Sequence, residues 1–127
     1  MIHEPRVGVG AAILDGDRLL LIQRLTEPEA GAWGLPGGKV DGGETAAQAV
    51  RRELAEELGV EIAVGELLCL VEQFEPHWVS PVYRAAIAAG EPRVMEPHKH
   101  GAVGWFALDA LPSPLTRATR DAAAALR

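Results

Sequence analysis

The chain has 127 residues and a formal net charge of −6 at pH 7, a length that suits one domain spanning residues 1–127. An acidic chain offers no broad surface for neutralising phosphates, so duplex nucleic acid is not an expected partner. The single cysteine, Cys69, excludes an intramolecular disulfide. The N-terminus lacks a signal-peptide pattern, and no apolar run reaches membrane-spanning length. We therefore expect a soluble cytoplasmic protein with no membrane partner.

Two hydrophobic runs near the N-terminus predict antiparallel strands at 7–14 and 18–24, joined by a turn at 15–17. The second run is almost continuously apolar, which indicates that both faces of the sheet are covered. The other elements predicted in chain order are a polar loop at 26–31, a glycine-rich loop from 34, a helix at 45–58, a strand at 61–74 with a kink or bulge at Gly65, a break at 75–77, a strand at 78–89, a polar loop at 90–101, a strand at 103–108 and a terminal helix at 115–127.

Prolines refine two of these elements. Pro81 lies inside a predicted strand, which indicates either an edge strand or a bulge. Ser113 and Pro114 suit the N-cap and the first position of the terminal helix. The order of strands, one helix, more strands and a second helix predicts a mixed sheet with helices packed on it.

The helix at 45–58 carries the clearest local signals in the chain. Thr45 and Gln48 form a T-x-x-Q capping box, and Gly59 suits the left-handed position that ends a helix. An apolar stripe with helical spacing predicts the face that packs on the core. The residues of this stripe are Ala47, Val50, Leu54 and Leu58.

Three glutamates, Glu53, Glu56 and Glu57, share one sector beside that stripe, at roughly 100° per residue. The other members of the sector, Ala46 and Ala49, are small. The glutamates repel one another at i,i+3 and i,i+4 spacing, and two of them face the negative end of the helix dipole. Such local conflicts are expected where a hard divalent cation compensates them. An ordinary solvated acidic face is the alternative, and spacing alone leaves both open.

The glycine loop and helix together give a longer pattern. Residues 38–60 read G-x5-E-x7-R-E-U-x-E-E-x-G-U, where U is aliphatic. This pattern resembles the signature of the Nudix hydrolases at every position, and the preceding WGLPG resembles the family's usual approach to it. The resemblance implies a Nudix fold of the α/β class: an α/β/α sandwich with a mixed β-sheet, a catalytic helix at 45–58 and a C-terminal helix. It also implies MutT-like hydrolysis of a nucleoside diphosphate linked to another group, with Mg²⁺ as the cofactor and Mn²⁺ as its substitute.

The resemblance further implies a set of metal ligands. Glu56 and Glu57 are the principal ligands, Glu53 is a further ligand or the general base, and the backbone carbonyl of Gly38 is another ligand. Glu96 resembles the extra acid that some members add to the metal cluster or use as a base. The alternative for Glu96 is a solvated loop acid.

Two further catalytic residues follow from the same pattern. Arg52 is expected to orient the acids, since it stands four residues before Glu56. Glu44 is expected to anchor Arg52 or to hold the loop. The alternative for the pair is a purely structural ion pair.

Candidates for substrate binding lie outside the pattern. Arg24 matches a position where nucleotide-hydrolysing relatives often carry a phosphate-binding arginine, the alternative being a surface charge. Trp33, Phe74 and Trp78 could stack on a nucleobase. Lys99 could contact phosphates, although exposed loop residues usually do nothing specific.

The favoured function is a nucleoside triphosphate pyrophosphatase that releases a nucleoside monophosphate and pyrophosphate, with nucleotide-pool sanitation as a possible role. The alternative is an ADP-ribose or ADP-sugar pyrophosphatase, because Pro76 lies sixteen residues past the pattern, where such enzymes often carry proline. A non-catalytic nucleotide-binding module is a third reading, disfavoured because the acids and Arg52 are all present. The sequence leaves open whether the protein is a monomer or a homodimer.

Overall fold

The computed structural model describes residues 4–74 and 76–127, which form seven strands and two helices. The strands are β1 (Arg6–Asp15), β2 (Arg18–Arg24), β3 (Trp33–Gly34), β4 (Gly37–Lys39), β5 (Glu61–Gln73), β6 (Trp78–Ala89) and β7 (His100–Ala107), and the helices are α1 (Ala46–Leu58) and α2 (Arg117–Leu126). Among these residues, no helix combines the length and apolarity needed to cross a membrane.

The strands form a mixed sheet, as predicted. β1 pairs in parallel with β6 along one edge, and in antiparallel with β2 and β4 along the other. β5 extends the sheet beyond β6, while β3 and β7 both pair with β2. The short strand β4 belongs to the predicted glycine loop, and its pairing with β1 holds that loop against the sheet.

Helices cover both faces of this sheet. Alternate residues of β1 point to opposite sides, and the residues on each side pack against a different helix. Val9 and Ile13 pack with Leu54 of α1 in one buried cluster. Ala12 packs with Ala122 of α2 in the other cluster. The α/β/α sandwich is therefore confirmed, and so is the expectation that both faces of β2 are covered.

The predicted capping signals set both ends of α1. The Thr45 side chain accepts a hydrogen bond from the Gln48 N–H at 3.1 Å, and the Gln48 side chain accepts one from the Thr45 N–H at 2.9 Å. Gly59 ends the helix with φ of 68°. The buried residues of the helix are Ala49, Val50, Leu54, Glu57 and Leu58. Ala47 is only half-buried, contrary to prediction, whereas Ala49 is fully buried.

The terminal helix begins later than the sequence predicts. α2 starts at Arg117, and Thr116 rather than Ser113 is its N-cap. Leu115, the predicted first helical residue, forms a parallel bridge with Trp33. The Thr116 N–H donates to the Trp33 carbonyl at 2.9 Å. Because this segment is hydrogen-bonded to β3, it cannot also form a helical turn.

Two strand predictions also need correction. β7 begins at His100 rather than at 103, because His100 pairs with Arg24 of β2. β6 lies between β1 and β5, so an edge position for Pro81 is wrong. The bulge is the closer alternative, since the register of β5 shifts between Leu67 and Cys69, beside the partner of Pro81.

The remaining strand features follow the sequence. β2 and β6 have the predicted bounds, and the register of β5 shifts around Gly65 as expected. In the predicted break, Pro76 and His77 lie in a turn, while Glu75 lies outside the described residues.

Removing the cap of α1 tests how far this helix depends on it. Thr45→Ala loses the hydrogen bond to the Gln48 N–H and should lower the free energy of unfolding by about 1 kcal/mol. Urea denaturation measures this change. Thr26→Ala, at an exposed loop threonine, is the control and should stay within about 0.5 kcal/mol of the parent. Equal effects of the two substitutions would contradict the importance of the cap.

Candidate active site

Arg52 gathers the acids on the exposed side of α1. Its Nε and Nη2 donate to the two carboxylate oxygens of Glu44 at 2.7 and 2.9 Å, a bidentate pairing. Its Nη1 lies 3.0 Å from Glu53 Oε1 and 3.3 Å from Glu56 Oε2. Its Nη2 also donates to the Lys39 carbonyl of β4 at 3.0 Å. Its Nη2 lies 3.4 Å from Asp41 Oδ2 as well, so one guanidinium links α1, the glycine loop and four carboxylates.

Glu44 makes the contacts of both roles expected for it, because it binds Arg52 and also closes the loop before α1. Its Oε1 accepts the Asp41 N–H at 2.9 Å, in addition to the bonds from Arg52. The hydrogen bond from Arg52, followed by that from Asp41, lowers the pKa of Glu44. The same pairing raises the pKa of Arg52, so both groups stay charged at neutral pH.

Glu53 lies directly against the backbone of Gly38. A Cβ atom built on Gly38 would stand 2.5 Å from the Cδ atom of Glu53, so only glycine allows this approach. Burial raises the pKa of Glu53, and the negative charge of Glu57 raises it further. Glu53 is therefore a better proton acceptor than an exposed glutamate would be.

Glu57 is the buried acid of the group, with 5% of its surface exposed. The Gly37 N–H donates to its Oε1 at 2.8 Å, and His100 Nε2 lies 3.3 Å from its Oε2. Burial raises the pKa of Glu57, while the contacts from His100 and Gly37 act in the opposite direction. The carboxylate is held by β4 on one oxygen and by β7 on the other.

The loop before β7 is fixed to the end of α1. The Arg93 N–H donates to the Leu58 carbonyl, and the Met95 N–H to the Glu57 carbonyl, each at 3.1 Å. These bonds satisfy carbonyls that a helix end leaves free. They also bring Glu96 close enough for its negative charge to raise the pKa of Glu57.

A cavity of about 320 Å³ adjoins this group of acids. Gly37, Gly38 and Glu57 line one part of it, and Trp78 and Ser80 of β6 line another. A Cβ atom on Gly8 would stand 2.6 Å from the Ser80 hydroxyl oxygen, so the glycine of β1 leaves space at this wall. The cavity is therefore continuous from the acids to an aromatic side chain.

The predicted substrate residues divide into two groups. Arg24 and Trp78 line the cavity, and the Arg24 Nε donates to the Pro28 carbonyl at 2.9 Å. Trp33 does not belong to the lining among the described residues, and it packs edge-on against Phe106 with ring centroids 4.9 Å apart.

Phe74 and Lys99 also stand outside the lining that the described residues form. Phe74 is 63% exposed and stacks on His77, with ring centroids 4.5 Å apart. Lys99 Nζ lies 3.6 Å from Glu96 Oε2. This amine therefore faces a candidate acid of the site.

The oxygen donors of the group suit Mg²⁺ or Mn²⁺, which bind carboxylates and carbonyls. The close approach of Glu53 to Gly38 puts a carboxylate beside a backbone segment that the pattern assigns to the metal. As the side chains stand within 4–74 and 76–127, no three His, Cys, Asp or Glu residues are close enough to hold one ion. Glu53 and Glu56 are turned toward Arg52, so they would have to rotate to share an ion with Glu57.

Sequence reasoning missed His100 and Ser80. His100 falls in a segment predicted as loop, so its inward direction was not evident. If the start of β7 had been placed correctly, the alternation of side chains along the strand would have indicated that His100 points inward. Ser80 is one of several small residues in β6, and its position opposite Gly8 depends on strand pairing that the sequence does not show.

Known proteins resemble this chain over most of its length. A family model described as NUDIX domain matches residues 4–126. The putative 8-oxo-dGTP diphosphatase 2 of Mycobacterium tuberculosis is 41% identical over 104 residues, covering 79% of this chain and 72% of the relative. The CTP pyrophosphohydrolase of Escherichia coli is 35% identical over 122 residues, covering 88% of this chain and 84% of that protein. A solved MutT NUDIX hydrolase from Burkholderia pseudomallei has a TM-score of 0.92 and 55% identity, covering 98% of this chain and all of that one (100%).

The raised pKa of Glu57 predicts a pH dependence of stability in protein freed of metal with EDTA. Below the pKa of Glu57 in the unfolded chain, both states are protonated and burial carries no charge penalty. As the pH rises through the higher pKa of the folded state, the folded protein must ionise a buried group and loses that stability. Glu57→Gln removes this loss, so its stability relative to the parent should increase between pH 4 and pH 8.

Urea denaturation at both pH values measures the effect. Glu61→Gln, at an exposed acid just beyond α1, corrects for the general effect of removing one negative charge. A stability difference between Glu57→Gln and the parent that is the same at pH 4 and pH 8 would contradict the burial penalty.

Proposed function

The chain belongs to the Nudix hydrolase family, and on that premise we propose that it hydrolyses nucleoside triphosphates to nucleoside monophosphates and pyrophosphate. We take the whole chain to be one Nudix domain that uses Mg²⁺ as its cofactor, with Mn²⁺ as a substitute. The 8-oxo-dGTP and CTP hydrolases among its relatives support a nucleotide substrate of this class.

The single observation that carries the proposal is the cavity beside the acids. Its volume of about 320 Å³ lies near the lower end of the range for ligand cavities. Because its lining includes Gly38 and Glu57 as well as Trp78, a nucleoside lying at Trp78 can direct its phosphates toward the acids. The ADP-ribose alternative is supported by Pro76 and by a relative named ADP-ribose pyrophosphatase, from Methanocaldococcus jannaschii, which is 34% identical over 112 residues. Pro76 is not among the residues that line the cavity in the described part of the chain.

Residues at the far wall suit a nucleoside. Trp78 offers an aromatic face for a base, and the Arg6 guanidinium lies 5.7 Å from its ring centroid. Gln73 and Ser80 line the same cavity and can both donate and accept hydrogen bonds to polar base edges. Arg24 supplies a positive charge at the lining, which suits a phosphate.

The residues on and around α1 would have different roles in the hydrolysis. A bound divalent cation would neutralise phosphate charge and lower the pKa of water. Glu56, Glu57 and the Gly38 carbonyl would hold it, with Glu96 close by. Glu53 would accept the proton of the attacking water, because burial raises its pKa and Arg52 fixes its position. The water oxygen then forms a bond to phosphorus, the phosphoanhydride bond breaks, and pyrophosphate leaves.

A substrate panel tests the proposal directly. The protein with Mg²⁺ should hydrolyse canonical or oxidised nucleoside triphosphates and release pyrophosphate, measured by chromatography of the products. Substantial cleavage of ADP-ribose with little cleavage of triphosphates would contradict the substrate class. No hydrolysis of any nucleotide, including dinucleoside polyphosphates, would favour a binding module instead.

Glu53→Gln tests the role of the base in the same assay. It should lower kcat by at least about 100-fold, since general-base catalysis contributes about 10²–10⁴. The variant should still fold, because the amide keeps the shape of the side chain. Glu61→Gln is the matched control and should retain the parent's kcat. A Glu53→Gln variant with the parent's turnover would remove Glu53 from the mechanism.

A further inference from the structure

His100 is a buried titratable residue that the mechanism above does not use. It opens β7, pairs with Arg24 of β2, and has 6% of its surface exposed. Its Nε2 lies 3.3 Å from Glu57 Oε2. Its Nδ1 is buried and has no hydrogen-bond partner among the described residues. Burying a polar atom without a partner is costly, so the position calls for an explanation.

We propose that His100 is a positioning residue that holds the Glu57 carboxylate in the orientation needed to bind the divalent cation. The inference rests on the proposed function, because Glu57 is a ligand only if the site takes a cation. It adds a residue that stands outside the pattern at 38–60 and on a different element of the fold.

The contacts of Glu57 explain why a second partner matters. A glutamate has three side-chain torsions, and the Gly37 N–H fixes only Oε1. His100 approaches the other oxygen from β7, so the two contacts together restrict rotation of the carboxylate. Each oxygen retains a further lone pair, which leaves it able to bind a cation.

The ring chemistry of His100 is consistent with this role. An ionised carboxylate only accepts hydrogen bonds, so Nε2 must carry the proton that faces Glu57. Partners of this kind commonly change metal affinity or activity by about 10- to 100-fold when removed.

The alternative is that His100 only fills space beneath the site. Packing and positioning make different predictions for substitutions that keep the volume of the ring. His100→Phe keeps a ring but offers no donor, whereas His100→Gln keeps an N–H near the place of Nε2. If packing is the whole role, cation affinity should depend on neither substitution.

Titration of metal-free protein with Mn²⁺ measures this affinity, with free Mn²⁺ quantified by electron paramagnetic resonance and no nucleotide present. His100→Phe should weaken Mn²⁺ binding by about 10-fold or more, while His100→Gln should restore it to within about 3-fold of the parent. Ile62→Val is the control for disturbed packing, since Ile62 is buried in the same cluster as Leu54. It should bind Mn²⁺ like the parent.

Unchanged Mn²⁺ affinity in His100→Phe would overturn the proposal, whatever happens to its melting temperature. If that variant does not fold, His100→Asn replaces it, because its shorter amide should not reach Glu57 and should also weaken binding. Parent-like affinity in His100→Asn would then overturn the proposal, as would a parent protein that binds no Mn²⁺. A parent that binds Mn²⁺ but hydrolyses no nucleotide would refute the proposed function alone.

Discussion

The close approach of α1 to the backbone of β4 is the constraint on which the rest of the site depends. Gly37 donates its N–H to Glu57, and Gly38 leaves room for the carboxylate of Glu53. A Cβ on Gly37 would collide with the Val9 carbonyl of β1, so this segment must be glycine to lie on the sheet. The same packing that buries the apolar face of α1 therefore delivers two acids to one short strand.

The electrostatics of the site follow from this packing. Arg52 compensates the acids that remain near solvent, Glu44, Glu53 and Glu56. Glu57 lies deeper and meets the Gly37 N–H and the His100 imidazole instead of a guanidinium. Arg52 brings one positive charge to four carboxylates, those of Asp41, Glu44, Glu53 and Glu56, so the acids around it carry excess negative charge. A divalent cation is the partner that suits such a site.

The fold could be predicted from sequence where local signals and tertiary packing agree. The capping box and Gly59 fixed the ends of α1, because their hydrogen bonds lie within a few residues of one another. The start of α2 was predicted wrongly, because Ser113 has the local chemistry of a cap but the segment after it pairs with β3. Local preference was overridden there by hydrogen bonds to a distant strand.

In the candidate site too, features set by local sequence could be predicted, and features set by strand register could not. The pattern at 38–60 identifies the acids, Arg52 and the glycines, whose contacts lie largely within that one segment. Trp33 and Trp78 were equivalent candidates in the sequence, yet only Trp78 lines the cavity among the described residues. The direction of each ring depends on strand register, which composition does not reveal. His100 was missed for the same reason.

The proposed divalent-cation site is formed by Glu57 of α1 and the glycine segment of β4. Anomalous diffraction from crystals soaked in Mn²⁺ tests it most directly, because manganese scatters anomalously and can be located without reference to activity. We expect an anomalous peak in contact with the Glu57 carboxylate and next to Gly38. Bound manganese found elsewhere, with no peak at Glu57, would contradict it.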